Sequence, residues 1–387
     1  MSDPNTPLLQ LGKKLADDVL VPMKQAFVGK DEVIDLLGVC LVARENLFLH
    51  GPPGTAKSAL VRELARRIDG RVFDYLLTRF TEPSEIFGPF DIRRLREGDL
   101  VTNTEGMLPE AALVFLDELL NANSAILNSL LLVLNERVFR RGRETRPLPT
   151  LMVVGASNRL PEDDALGALF DRFLLRVHCD NVAPEELAHV LVAGWKLDVQ
   201  QDGDRATIGV DDVQGLQRLL PQADFTEVRP HYVELIHRLR HAGIAVSDRR
   251  AVKLQRLLAA SALVCGRLEV NRTDVWVLRY IWDTEEQQDV LASIVDDALA
   301  QAGDDEKASS HPRSRGSDAP DPEHLSRDLD RIAARFGDGE VPDTERAYLE
   351  DQLGLLASRC QWIEGEQQRS FLESKLERLW QKLGGRR

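Results

Sequence analysis

The chain has 387 residues, 43% hydrophobic and 29% charged, the composition of a globular protein with room for about two or three domains. Its formal net charge of −14 excludes passive, whole-surface binding to nucleic acid and leaves only a local basic patch for such a contact. No run approaches the roughly 18 apolar residues of a membrane span, the N-terminal MSDPNTPLLQ lacks the basic-then-apolar order of a signal peptide, and four cysteines without a CxxC pair fit a reducing, cytoplasmic compartment and no zinc site.

Apolar residues at helical spacing predict a first helix over Leu8–Met23 and a second over Glu32–Arg44, with Asp31 as its N-cap. Between them lies the turn Phe27-Val28-Gly29-Lys30. Gly29 either ends that turn or brings backbone close to an adenine ring, and the residues alone leave both open. Asn46–His50 then reads as a short buried strand that stops at Gly51-Pro52-Pro53-Gly54, after which Lys57-Ser58 opens a helical pattern carried by Leu60, Val61 and Leu64. Strand, Gly-rich loop, Lys-Ser and helix in that order form the phosphate-binding loop of nucleoside triphosphatases. Backbone N–H groups and the helix N-terminus attract phosphate oxygens. Lys57 would reach the β- and γ-phosphates of ATP, and the Ser58 hydroxyl would hold Mg²⁺. Ala56 departs from the usual glycine before the lysine and restricts the backbone there. A chance Gly/Pro turn is the plain alternative.

Arg71–Leu77 reads as a second strand, and Thr78–Leu108 as loop, short helix and a small hairpin around Arg96-Glu97-Gly98-Asp99. Leu113-Val114-Phe115-Leu116 is a buried strand with Asp117-Glu118 at its C-terminal end, where a parallel sheet lines its ligand crevice. Asp117 would support the Mg²⁺ shell and Glu118 would act as general base on the attacking water; alternatively both acids favour the N-terminus of a following helix, Ala122–Asn135. Glu136–Pro149 is a predicted hairpin with Gly142 near its tip. Its Arg137, Arg140, Arg141, Arg143 and Arg146 form either a solvated face or a contact to an anionic partner or neighbouring subunit. Leu151–Gly155 is another strand, followed by Asn158, which either orients the hydrolytic water or serves as a turn residue. Arg172 precedes the last strand, Phe173–Cys179. It either meets charge on a γ-phosphate from a neighbouring chain or pairs with Asp171.

From Pro184 the pattern is helical: Pro184–Lys196, Val210–Leu220, Glu227–Ala242, Asp248–Leu268, Thr273–Asp283 and Thr284–Gln301. Ser247 caps the fourth of these, which puts Arg249 and Arg250 at a helix N-terminus that disfavours cations. Either an anion lies nearby, or they pair with Asp248 or another acid. Gly303–Glu323 has the composition of a mobile linker. Leu325–Phe336, Asp343–Glu364 and Gln367–Leu383 follow as amphipathic helices with Trp362, Phe371, Leu372, Leu376, Leu379 and Trp380 as their core. The expected division is 1–182 as an α/β nucleotide-binding domain, 183–283 as an all-α lid, and 284–387 as a C-terminal helical domain interrupted by the linker at 303–323.

GPPGTAKS (Gly51–Ser58), LVFLDE (Leu113–Glu118), GASN (Gly155–Asn158), LFDRF (Leu169–Phe173) and SDRR (Ser247–Arg250) together resemble the ordered motifs of an AAA+ ATPase of the MoxR family, RavA-like branch. The resemblance implies a five-stranded parallel P-loop sheet with an all-α lid and a C-terminal helical bundle. It implies that Gly51, Pro52, Pro53, Gly54, Thr55, Ala56, Lys57, Ser58 and Ala59 bind ATP as Walker A, that Phe27, Val28 and Gly29 form the adenine-side turn, and that Asp117 and Glu118 are Walker B. Ser58 and Asp117 would serve Mg²⁺, Asn158 would be sensor 1, Arg172 the arginine finger and Arg249 sensor 2. Family members are usually hexameric rings that remodel protein clients, often with a von Willebrand factor A-domain (VWA) partner. RavA-like chains carry a β-rich insertion in the tail, where this sequence has only Gly303–Glu323. A DNA-acting motor, a metal-chelatase-type motor subunit and an inactive nucleotide-dependent scaffold are the rival readings.

Overall fold

The computed structural model describes residues 6–96, 100–141, 144–161, 164–182, 186–199 and 208–314, scattered positions between 325 and 360, and the stretch 366–383. Its contacts divide the chain into two compact units, Met1–Ser314 and Arg315–Arg387.

Among the described residues of the first unit the strands are β1 Asn46–His50, β2 Val72–Leu76, β3 Leu113–Asp117, β4 Val138–Arg141, β5 Glu144–Pro147, β6 Met152–Ser157 and β7 Phe173–His178. Five of them form one parallel sheet in the order β2-β3-β6-β1-β7. The four inner and far strands β1, β3, β6 and β7 are buried almost throughout because both faces of the sheet are covered there, whereas β2 stands at the edge with Val72 and Leu76 exposed. Leu47, Leu49, Phe115, Val154 and Val177 enter one core, while Phe48, Val114, Leu116 and Val153 enter the other. β4 and β5 pair antiparallel as the expected hairpin; Gly142 and Arg143 lie outside the described residues.

The first helical stretch runs through Thr6–Lys14, a π-turn at Leu15–Leu20 and Val21–Ala26. The second helix is Asp31–Ala43, with Lys30 and not Asp31 at the N-cap position. Helix Ser124–Glu136 is capped by Asn123, whose Oδ1 accepts from the Ala125 and Ile126 amides at 3.1 Å. Asp117 and Glu118 are therefore not its capping acids. Leu187–Val199 is described as a helix, and Pro184, its expected start, lies outside the described residues. Beyond it come Val210–Leu219, Arg229–His241, Asp248–Val264, the 3₁₀ segment Arg272–Tyr280 and Gln287–Ala300.

The basic hairpin uses its charge internally. Arg137 is half-buried with its guanidinium turned inward, and its Nη2 donates to Asn46 Oδ1 at 2.5 Å. Arg141 lies 4.1 Å over the Phe90 ring, Arg146 lies 5.4 Å over Phe139, and Arg140 is 3.9 Å from Glu136. Rings and polar neighbours within the first unit take up much of Arg137, Arg141 and Arg146, although Arg137 Nη1 and Arg146 Nε and Nη2 are buried without a hydrogen-bond partner, while Arg140 stays largely exposed.

The first part of the expected linker, residues 303–314, is ordered. Asp304–Ala308 is helical and Pro312–Ser314 is a single 3₁₀ turn. His311 stacks on Trp276 at 4.6 Å, and Arg313 Nε donates at 3.0 Å to Asp35, a buried carboxylate that also pairs with Lys24 at 2.6 Å. Burial lowers the His311 imidazole to about 4. Specific partners hold a polar segment that hydrophobic periodicity could not place. Residues 315–323 lie outside the described ones.

A buried cation joins the sheet to the helical region. Arg176 of β7 is fully buried. Its Nη1 donates to the Trp282 carbonyl at 2.7 Å and meets Asp283 Oδ1 at 2.7 Å, and its guanidinium lies 4.2 Å over the Phe170 ring. Burial, with Arg250 nearby, lowers its pKa to about 9. Asp283→Ala should cost about 3 kcal/mol, the low end for breaking a buried pair because the acid keeps some exposure. A shift of the urea midpoint measures it.

In the second unit, Leu325, Leu329, Leu349, Leu353, Leu372, Leu376 and Leu379 form a small buried cluster, with Glu366–Leu383 as its described helix. Trp380 packs beside it, Phe371 is partly exposed, and Trp362 lies outside the described residues.

Candidate functional site

β1 ends at His50 and the chain turns at once. Gly51 has φ 154°, and a Cβ there would stand 2.3 Å from the Cys179 carbonyl oxygen, so only glycine fits. Ala56 takes the left-handed φ of 65° directly before helix Lys57–Arg67. A side chain in that region costs roughly 1–2 kcal/mol, so the residue where the pattern lacks its glycine keeps the glycine conformation. Lys57 is buried, and its Nζ donates to the Gly51 and Pro52 carbonyls at 2.9 and 2.6 Å. Thr55 Oγ1 also donates to the Pro52 carbonyl, at 3.0 Å. Pro52, Pro53 and Gly54 are exposed, while Ser58 and Ala59 are half-buried at the start of the helix.

The neighbouring strand ends face this loop. The order β3-β6-β1 places their C-termini side by side, about 4.8 Å apart per strand. Asp117 closes β3 and Glu118 follows with φ 50°, its amide donating to Asp117 Oδ1 at 2.9 Å. Asn158 stands exposed one residue past β6, whose Ser157 pairs with His50. Lys57, Ser58, Asp117, Glu118 and Asn158 thus share one edge of the sheet.

The Phe27-Val28-Gly29 turn lies beside the loop. Gly29 has φ 69°, and the Nζ of buried Lys30 donates to the Asp180 carbonyl, next to the Cys179 carbonyl that packs on Gly51. Lys30 was not singled out from the sequence; its only signal there is its place directly after Gly29.

Arg172 is elsewhere. It directly precedes β7, and its carbonyl accepts from Asn46 Nδ2 at 3.0 Å, at the N-terminal end of β1. Its own phosphate loop begins about 15 Å away, at the far end of β1. Among the described residues it makes no ion pair with Asp171, and its buried Nε has no hydrogen-bond partner. Arg249 joins it in lining a cleft of about 550 Å³, together with Arg240, Arg250 and Lys253. The two arginines at the Ser247-capped helix start differ sharply. Arg250 Nη1 pairs with Asp283 at 2.9 Å and its Nη2 donates to the Ile281 carbonyl at 2.6 Å, whereas Arg249 is exposed. Asp248 pairs with Arg240 at 2.7 Å. Among the described residues no helix is long and apolar enough to cross a membrane.

The donors suit a magnesium nucleotide: a hydroxyl at Ser58 and a carboxylate at Asp117 are hard oxygen ligands, and the loop offers amides and an ammonium to phosphate. A family model described as the MoxR domain in the MoxR-vWA-beta-propeller ternary systems matches residues 13–218, and an AAA lid domain model matches residues 225–295. The uncharacterized protein MJ0079 of Methanocaldococcus jannaschii is 34% identical over 273 residues, which cover 70% of this chain and 71% of that protein. Chaperone MoxR1 of Mycobacterium tuberculosis is 26% identical over 201 residues, covering 51% of this chain and 52% of that one. A crystal structure of a Cytophaga hutchinsonii protein, proposed to be an ATPase, shares the fold with a TM-score of 0.61 at 18% identity, over 77% of this chain and 97% of that chain. The parallel sheet, the phosphate-loop geometry and these matches together mean that the chain belongs to the MoxR family of AAA+ ATPases.

Proposed function

We propose that the chain hydrolyses ATP in a Mg²⁺-dependent reaction, as a ring that remodels or activates protein partners in the cytoplasm. The observation that carries this is the convergence of Lys57, Ser58, Asp117, Glu118 and Asn158 on one sheet edge. Lys57 holds the triphosphate, Ser58 and Asp117 serve the metal, and bound Mg²⁺ would supply charge neutralisation between the phosphates. Glu118 takes a proton from the attacking water, and Asn158 orients that water. The turn at Phe27, Val28 and Gly29 borders the base. Arg172 and Arg249 act on the nucleotide of a neighbouring chain, because they line one cleft and Arg172 stands at the sheet edge opposite its own loop.

A VWA-domain protein is the partner we favour, since the matched family model is described by systems that contain one. A RavA-like placement is supported only by the forms of the motifs. The DNA-acting alternative gains little from the hairpin, because among its described arginines Arg137, Arg141 and Arg146 turn to Asn46, Phe90 and Phe139 and only Arg140 is largely exposed. The test is phosphate release from ATP with Mg²⁺, with assembly followed by light scattering. Lys57→Ala should reduce release to background by removing the ammonium from the phosphates. A wild-type protein that assembles yet releases no more phosphate than Lys57→Ala overturns the ATPase reading.

A further inference from the structure

The last residues of β1 and β7 are both histidines, and the strand register sets them opposite one another. His50 Nδ1 lies 3.4 Å from His178 Nδ1, and Glu285 Oε1 lies 3.9 Å from His50 Nδ1. One donor atom from each of the three falls within 4.8 Å of the others. Glu285 comes from the turn between Arg272–Tyr280 and Gln287–Ala300, so three separate parts of the first unit meet at this point.

The spacing has a chemical meaning. Ligand nitrogens at 2.0–2.1 Å around a tetrahedral zinc ion stand about 3.4 Å from each other. Two imidazoles and a carboxylate, with a fourth position left to water, form a donor set for borderline divalent metals. The rings are already held. His178 stacks on Trp282 at 5.3 Å, and its Nε2 meets the Gln288 amide at 2.8 Å. Turning that amide so that its oxygen accepts from Nε2–H leaves the Nδ1 lone pair directed at His50. The His50 side chain is 13% exposed and that of Glu285 46%, so a cation can enter from the carboxylate side.

We propose that His50, His178 and Glu285 bind a divalent transition cation of the zinc class, tying the turn at Glu285 to two strand ends at the root of the phosphate loop. Gly51 follows His50 directly, and Trp282 and Asp283 belong to the same turn as Glu285. A bound cation therefore restrains both the loop and the segment that holds Arg176 and Arg250. The expectation of no zinc site rested on the cysteine pattern, which bears on thiolate ligands and says nothing of imidazole and carboxylate ones. An imidazole–carboxylate site assembled from residues 128 positions apart has no spacing signature.

The experiment uses the untagged full chain, stripped with chelator and titrated with Co²⁺ without nucleotide. The expected result is one equivalent bound at micromolar concentration, with the intense visible absorption of a four-coordinate site and no thiolate charge-transfer band. Zn²⁺ should displace the colour and raise Tm by about a few degrees. His178→Gln and Glu285→Gln should each weaken Co²⁺ binding by roughly tenfold or more. Glu285 is half-exposed, so its replacement leaves the fold in place, and far-UV circular dichroism checks that. Absence of micromolar binding, a weak octahedral spectrum, or unchanged affinity in folded Glu285→Gln overturns the site. No nucleotide enters the measurement, so its outcome stands apart from that of the ATPase assay.

Discussion

Replacing Glu118 by glutamine leaves a protein that binds ATP and turns it over about 10²–10⁴-fold more slowly, the usual effect of losing a general base. The amide keeps the size of the side chain and the turn it occupies but cannot accept the proton of the attacking water. Glu118 stands in the left-handed region directly beyond β3, a conformation that disfavours a side chain by roughly 1–2 kcal/mol. Its amide is held by Asp117 Oδ1 at 2.9 Å, so the neighbour assigned to the metal also aims the base. Binding of a fluorescent ATP analogue and phosphate release, measured on the same preparation, separate the two functions. Turnover close to wild type would remove Glu118 from the base role.

Loss of Arg172 should be more severe still, with a fall of about 10³–10⁵ in turnover, the size typical for cations supplied to a transferring phosphoryl group. The decisive measurement mixes variants. An Arg172→Ala subunit keeps a complete phosphate loop, and a Lys57→Ala subunit keeps the arginine. If Arg172 serves the next chain, a mixed assembly contains interfaces with both residues intact, and activity returns although each variant alone is silent. Mixed assemblies, verified by mass spectrometry, that remain silent place Arg172 outside catalysis. The position of the residue favours recovery, since its carbonyl is fixed at the N-terminal end of β1 and the loop lies beyond the C-terminal end.

Much of this was legible in the chain itself. A parallel strand covered on both faces must be mostly apolar, so β1, β3, β6 and β7 announced themselves as short runs, and the acids at the end of β3 fell at the ligand edge by topology. What could not be read was which polar groups meet across long separations. Arg249 and Arg250 are adjacent and chemically alike, yet Arg250 is tied to Asp283, 33 residues away, and Arg249 is not. Arg137 sat in a basic run yet hydrogen-bonds to Asn46, 91 residues earlier. His311 and Arg313 lay in a segment with linker composition but find Trp276 and Asp35. Periodicity reports the face of an element and is silent on such distant partners.

The Arg176 guanidinium bears on where mechanical work would be delivered. It grips the turn at Ile281, Trp282 and Asp283 through carbonyls and a carboxylate while its backbone belongs to the central sheet. Hinging the helical block away from the sheet would strand a positive charge in an apolar interior. In the proposed ring, a subunit stiffened in this way would pass displacement outward across its boundaries with neighbouring copies and leave its own inner joint closed.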